Sequence, residues 1–453
     1  MISMRLSEAG RVTGAVLKGA DAGFVGVSTD SRTLPGGALF CALRGPNFDG
    51  HEYCAAAAQR GAVGVLLERE VDTQLPVLIV PDTQQALGAL ARAWRRRFAI
   101  PVVGITGSNG KTTVKQMLAS ILGVDAPVLA TSGNLNNEIG VPQTLFQLDR
   151  THRYAVVEMG ASQVGDIATL AAIAEPDVGV ITLCAPAHLE GFGTIEQVAR
   201  TKGEMYAALP ADGTAVINLD DDFAAYWRKI AGERQVLTFG FGAAADIHAS
   251  AIEARGPGQG MRFTLHTPAG TAAIALPFDG RHNVANALAA AAAAIALDIP
   301  LDAIRLGLEA ASNVGGRLRV CAGIRGAQII DDTYNANPAS LRAALCVLAT
   351  AAGEKWVVLG DMGELGPEAR EMHEQLGREA RELGIDRLYA LGPLAAAAAR
   401  GFGARGQSYT DIDVLNDALA AALDSNVTVL IKGSRFMRME RVAAALGGEH
   451  EAC

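Results

Sequence analysis

Apolar and polar positions fall into blocks whose rhythm changes twice along the chain. Up to about residue 98, short apolar runs such as "GGALFCALRG" and "GAVGVLLE" are separated by turns, and the segment closes on the basic helical stretch "LARAWRRRF". From Pro101 the order becomes strand, glycine turn, helix, strand, through "VVGIT", "VKQMLASIL", "YAVVEMG", "VGVITLC" and "AVINLDD". Alternation of that kind predicts a mostly parallel sheet wrapped by helices. "ANALAAAAAAIALDIP" reads as a buried helix of a soluble unit, because it is built from alanine and has Asn286 and Asp298 near its ends. The second change comes at Ser312–Gly316, where the glycines of "NVGGR" make a hinge. Beyond it "QIIDDTYN", "KWVVLGDMG", "RLYALG" and "VTVLIKGSR" are apolar strands ending in loops, a second open α/β sheet with its polar residues at the strand ends where ligands gather.

Length agrees with that division: 453 residues suggest about three domains of roughly 150 residues each. A net charge of −9 argues against broad nucleic-acid binding but leaves small anionic ligands open. The six cysteines include no C-x-x-C pair, so neither a zinc site nor a disulfide framework is indicated. "MISMRLSEAG" has no long apolar stretch and no segment approaches a spanning helix, so a cytoplasmic protein is expected.

The chemistry begins at "GITGSNGKTT", residues 104–113. Val114, Met117, Leu118, Ile121 and Leu122 follow with amphipathic-helix spacing, so the glycine loop joins a strand to a helix amino terminus. Phosphate belongs there: free N–H groups and the helix dipole attract it, glycines let backbone approach oxygen, and Lys111 reaches the outer phosphates. Thr112 offers a hydroxyl to Mg²⁺. The match to G-x-x-x-x-G-K-[ST] is imperfect, since Ile105 stands where the first glycine should be. Glu158 closes the strand "YAVVEMG" and suits Mg²⁺, which prefers oxygen donors. His188 in "APAHLEGFG" and Lys202 in "TIEQVARTKGEMYAAL" are each compatible with an ordinary packed histidine and a surface lysine.

Taken together, "TGSNGKTT", "GNLNNEIGVPQTL", "VEMGASQVGDI", "AHLEGFG", "RTKGEMY", "GRHNVANALAA", "DDTYNANPASL", "GDMGELG" and "IKGSR" resemble the Mur ligases through all three units and in the family's order. The resemblance implies an α/β fold with a small N-terminal UDP-substrate unit (1–98), a central P-loop parallel-sheet ATPase unit (99–312) and a C-terminal Rossmann-like unit for the amino substrate (313–453). It implies an ATP-dependent amide ligase working through an acyl phosphate, on the branch that joins D-alanyl-D-alanine to a UDP-N-acetylmuramoyl-tripeptide in cell-wall precursor synthesis. Gly107, Ser108, Asn109, Gly110, Lys111, Thr112 and Thr113 would hold the ATP phosphates, with Asn283 at the adenine, Arg317 near the phosphates and Asp332 near the ribose. Apart from the resemblance, Asn283 reads as a helix cap, Arg317 as a surface charge beside the hinge and Asp332 as a cap. Lys111, Glu158, His188 and Lys202 would be the catalytic set. Two Mg²⁺ ions are implied, one on Thr112 and Glu158 and one involving His188 and Lys202. An ammonium cannot ligate a cation, and the family's answer is a lysine carbamate formed with CO₂ at Lys202. Ser31, Arg32, Asn134 and Asn137 would face the UDP-substrate, and Lys432 and Ser434 the incoming dipeptide.

Sister ligases, which add the third stem-peptide residue or glutamate to a folate, are the nearest alternatives. Third-residue ligases commonly carry an Asp-Asn-Pro-Arg stretch that is absent here, and "GNLNNEIGVP" favours the dipeptide branch. An unrelated P-loop kinase or ATPase, or a non-catalytic nucleotide-binding regulator, would share only the loop. A monomer without nucleic-acid partners is expected, opening without substrate and closing with it to keep water from the acyl phosphate.

Overall fold

The computed structural model describes residues 1–186, 189–313 and 315–448. Its N-terminal part is built on a five-stranded sheet, in the spatial order Val16–Lys18, Val77–Ile79, Gly64–Leu67, Leu39–Cys41 and Val27–Ser28, antiparallel only at its first pairing. Leu39–Cys41 and Gly64–Leu67 are buried at every position, which is what parallel strands covered on both faces require. The basic helix is Thr83–Arg95, capped by the Asp82 carboxylate accepting from the Gln85 N–H. Its cations are spent on the next unit: Arg92 and Arg96 pair with Glu175, and Arg95 bonds the Ala174 carbonyl and Asp177. That charge run is therefore a staple between units.

The central sheet has nine strands. Seven run parallel in the order Val128–Ala130, Tyr154–Glu158, Val102–Thr106, Val178–Ile181, Thr214–Asn218, Gln235–Gly240 and Ile247–Ala254. Met261–Thr267 and Gly270–Leu276 extend it antiparallel. Val102–Thr106 lies inside this sheet, so its carboxyl end opens between two neighbours. Register fixes what flanks that opening: Ile105 pairs with Glu158 on one side and Thr106 with Ile181 on the other. The helix Lys111–Leu122 leaves the loop and buries Val114, Met117, Leu118, Ile121 and Leu122, the face anticipated from spacing. Against it packs the helix Arg281–Ile295, in which Ala287 and Ala289–Ala294 are all at most 1% exposed.

The C-terminal sheet has six strands in the order Arg319–Ala322, Gln328–Asp332, Val427–Lys432, Glu354–Gly360, Arg387–Leu391 and Gly406–Tyr409, parallel after the first pairing. Asp332 and Lys432 stand opposite each other at the ends of adjacent strands. Among the described residues no helix is long and apolar enough to cross a membrane.

Candidate functional site

The glycine loop spans the gap between Val102–Thr106 and Lys111–Leu122. Gly107 has φ +150° and Gly110 φ +81°, conformations that a side chain resists. Space is as tight as geometry: a Cβ at Gly107 would run into the Thr182 hydroxyl, and one at Gly110 into the Asn286 side-chain amide. The Thr182 hydroxyl donates to the Asn109 carbonyl at 2.5 Å, and the Ser108 hydroxyl donates to the Ala185 carbonyl at 2.9 Å. Both hold the loop to the segment after strand Val178–Ile181. Lys111 curls back to donate to the Gly107 carbonyl at 2.8 Å. Burial pushes its pKa down, nearby Arg317 adds to this, and Glu158 opposes it.

Glu158 is 2% exposed. Its Oε1 accepts from the Asn136 amide at 2.8 Å, its backbone N–H donates to the Thr131 hydroxyl at 2.9 Å, and its Oε2 is buried with no hydrogen-bond partner. An orphaned buried carboxylate oxygen beside a phosphate loop fits a divalent cation, which would satisfy it. No cluster of three or more His, Cys, Asp or Glu occurs among the described residues, so protein side chains alone make no cage. That suits Mg²⁺, which keeps waters and shares its shell with phosphates. Lys202, on the helix Ile195–Ala207, is buried at 4% exposure rather than a surface residue. Desolvation, then repulsion from Lys111, bring its pKa down to about 7 against the pull of Cys184 and Asp221. His188 lies outside the described residues.

The far wall of the cavity, which measures about 530 Å³, comes from the C-terminal part. Arg317 is no free hinge charge: its Nη2 donates to the Thr112 hydroxyl at 2.9 Å and its guanidinium lies 4.2 Å from the centre of the Tyr334 ring. Asn337 and Asn109 exchange side-chain hydrogen bonds, the shorter at 2.8 Å. Thus the loop is touched directly by the C-terminal part at two points. Asp332 is buried and bound by Lys432 at 2.5 Å and by the Leu318 N–H at 3.2 Å; it caps no helix, and burial raises its pKa. Lys432 also donates to the Asn335 carbonyl at 2.8 Å, so this buried ammonium anchors Asp332. Ser434 accepts from the Gly363 N–H at 3.0 Å and donates to the Ala336 carbonyl at 3.3 Å, and it does not line the cavity.

Asn283 lines the cavity but caps nothing, since the helix starts after Gly280. Its amide donates to the Asp279 carbonyl at 2.7 Å and its oxygen accepts from Asn286 at 2.9 Å. Asn134 and Asn137 reach the cavity at its other end, where the Asn137 side chain accepts from the Gly140 N–H at 2.9 Å. Ser31 and Arg32 do not border it; Arg32 is exposed and paired with Asp30 in a local turn. The N-terminal part approaches through the Gln143 amide, which donates to the Thr29 hydroxyl at 3.1 Å.

Comparison with known proteins follows this geometry along the whole chain. Three family models match in succession: the Mur ligase family catalytic domain at residues 24–95, the Mur ligase middle domain at 105–294 and the Mur ligase glutamate ligase domain at 316–435. The chain is 41% identical over 449 residues to the UDP-N-acetylmuramoyl-tripeptide–D-alanyl-D-alanine ligase of Escherichia coli, covering 98% of this chain and 99% of that one. The chain belongs to the Mur ligase family. Among solved structures, MurF from Acinetobacter baumannii superposes with a TM-score of 0.91 at 38% identity, over 96% of this chain and 97% of that one. MurF ligase from Thermotoga maritima, in complex with ADP, gives a TM-score of 0.82 at 30% identity over 92% and 96%. The three-domain α/β architecture of the Mur ligases is therefore the architecture of this chain.

Among the cavity-lining residues not singled out from sequence are Asn136, Thr182 and Asn337. Thr182 lies inside the predicted strand "VGVITLC" and stands one residue past the observed strand Val178–Ile181. Asn136 sits between the two asparagines chosen in "NLNN", and it is the one bonded to Glu158.

Proposed function

We propose that this chain joins D-alanyl-D-alanine to UDP-N-acetylmuramoyl-tripeptide with consumption of ATP, in peptidoglycan precursor synthesis. The observation that carries this is 41% identity to a ligase of that name over 98% of this chain, with family models matching in each of the three portions. An energy-transducing ATPase that shared only the loop would not match over the flanking units.

In this reading the units run 1–98, 99–312 and 313–453, and the ATP triphosphate lies on Gly107–Thr113. Lys111 stabilises charge developing on the γ-phosphoryl as it passes to the substrate carboxylate, and the amine then displaces phosphate from the acyl phosphate. Asn283 meets the adenine, Asp332 the ribose, and Arg317 shifts from the Thr112 hydroxyl toward the phosphates. Thr112 and Glu158 would hold one Mg²⁺ and His188 with Lys202 a second, and bound there the ions supply neutralisation of phosphate charge. Carbamylation of Lys202 by CO₂ is supported by its pKa of about 7. A free lysine at pH 7 is neutral in roughly one molecule in a few thousand, whereas about half of such a buried one is neutral and able to attack CO₂. Asn134 and Asn137, with Ser31 and Arg32 across the Thr29 contact, receive the UDP-substrate. Lys432 and Ser434 would lie on the dipeptide side, Lys432 at the cavity wall and Ser434 behind it. The enzyme acts as a monomer in the cytoplasm.

Purified protein given ATP, Mg²⁺, UDP-linked tripeptide and D-alanyl-D-alanine should yield the amide product by mass spectrometry, with ADP and phosphate released only when carboxylate and amine substrates are both present. Phosphate release that ignores the amine, without product, overturns this function.

A further inference from the structure

Lys115 lies on the face of helix Lys111–Leu122 that turns toward Thr131 and Glu158, and only 2% of its surface is exposed. Lysine is almost never this buried unless paired, and a leucine would fill the space at lower desolvation cost. Its ammonium is nevertheless not in contact with the nearby carboxylate. Nζ donates to the Thr131 carbonyl at 2.6 Å and stays 3.9 Å from Glu158 Oε2, beyond hydrogen-bond reach. Thr131 ties both partners, because its hydroxyl accepts from the Glu158 N–H. Asn136 occupies Oε1, and Oε2 is left bare beside a positive charge that does not cap it.

We propose that Lys115 is a positioning residue that acts as a restrained counter-cation, keeping the Glu158 seat open but weak for a divalent ion until the triphosphate arrives. This rests on Glu158 being a metal ligand. The sign follows from charge alone. Metal entry adds positive charge beside Lys115, so the lysine opposes it. The negative charge of ATP then tips the balance, and metal and nucleotide enter together.

The probe is Mn²⁺ alone, followed by electron paramagnetic resonance into the millimolar range on nucleotide-free protein. Removing the charge with Lys115→Met should tighten Mn²⁺ binding by at least about tenfold, given unit charges a few ångströms apart in a partly buried site. Lys115→Arg, which keeps the charge, should bind as the parent does. Lys115→Gln, neutral but still able to donate toward Thr131, is the second neutral variant should Lys115→Met fail to fold. Equal Mn²⁺ occupancy of parent and folded neutral variants, including none in either, overturns the proposal, as does weaker binding. Glu158→Gln separates the two readings. If Lys115→Met tightens binding and adding Glu158→Gln removes the gain, both stand; if Mn²⁺ binding is indifferent to Glu158→Gln, the metal assignment itself fails.

Discussion

Substituting Gly107 by alanine tests the loop at the point where its geometry is most constrained. At φ +150° a residue with a Cβ carries about 1–3 kcal/mol of backbone strain. The added carbon also meets the Thr182 hydroxyl, so Thr182 must turn and release the Asn109 carbonyl, a loss of about 1 kcal/mol. The sum, about 2–4 kcal/mol, falls on the loop alone, because Thr182 and Lys111 are the side chains that depend on Gly107. If binding restores the native loop, that is a loss of roughly 30- to 700-fold in ATP affinity. Isothermal titration with a non-hydrolysable ATP analogue measures it, and a thermal melt within a few degrees of the parent shows that the fold survives. Affinity within threefold of the parent would refute the reasoning, for it would mean that the loop does not hold the triphosphate in the conformation described.

Other expectations follow from neighbouring residues. Lys111→Ala should lower turnover by about a thousandfold or more while leaving the melt unchanged, since on the proposed function it removes the charge that would meet the γ-phosphoryl; retained turnover in a steady-state assay contradicts that role. Asn136→Ala frees Glu158 Oε1 and should lower kcat about ten- to a hundredfold and raise the Mg²⁺ needed for half-maximal rate, read from a metal titration. Raising pH through about 7 increases neutral Lys202, so a CO₂-dependent component of the rate should grow from pH 6 to pH 8, as the neutral share climbs from about one in ten to about nine in ten. Degassed, bicarbonate-free buffer should remove that component and added bicarbonate restore it; indifference to both argues against a carbamate. Asn337→Ala should raise the nucleotide KM a few-fold with kcat less affected, because the pair with Asn109 touches the loop and not the reacting atoms.

Much of the fold was legible because its signals are local. Strand, glycine turn and amphipathic helix occur in chain order around Lys111, and burial of Val114, Met117, Leu118, Ile121 and Leu122 follows the spacing. The antiparallel strands Met261–Thr267 and Gly270–Leu276 were not seen, although their alternating burial is the pattern of a half-buried hairpin. Glu158 was picked from its place at a strand end and Asp332 from the family resemblance, and both line the cavity. Contacts distant in sequence were not legible: Thr182 reaches the loop by strand register, and Asn337 meets Asn109 across 228 residues of chain. Burial of Lys202 and Lys115 is likewise a property of packing, which a lysine code letter does not carry.

The alanine helix Arg281–Ile295 has one more consequence. With methyl groups for most of its contact surface, it has few rotamers to rearrange and almost no free volume to take up, so it behaves as a stiff beam under the nucleotide loop. Any swing that brings amine to acyl phosphate must then be carried by the parts hinged to that beam, and enlarging a single methyl along it should disturb nucleotide handling from beneath without touching the ligand.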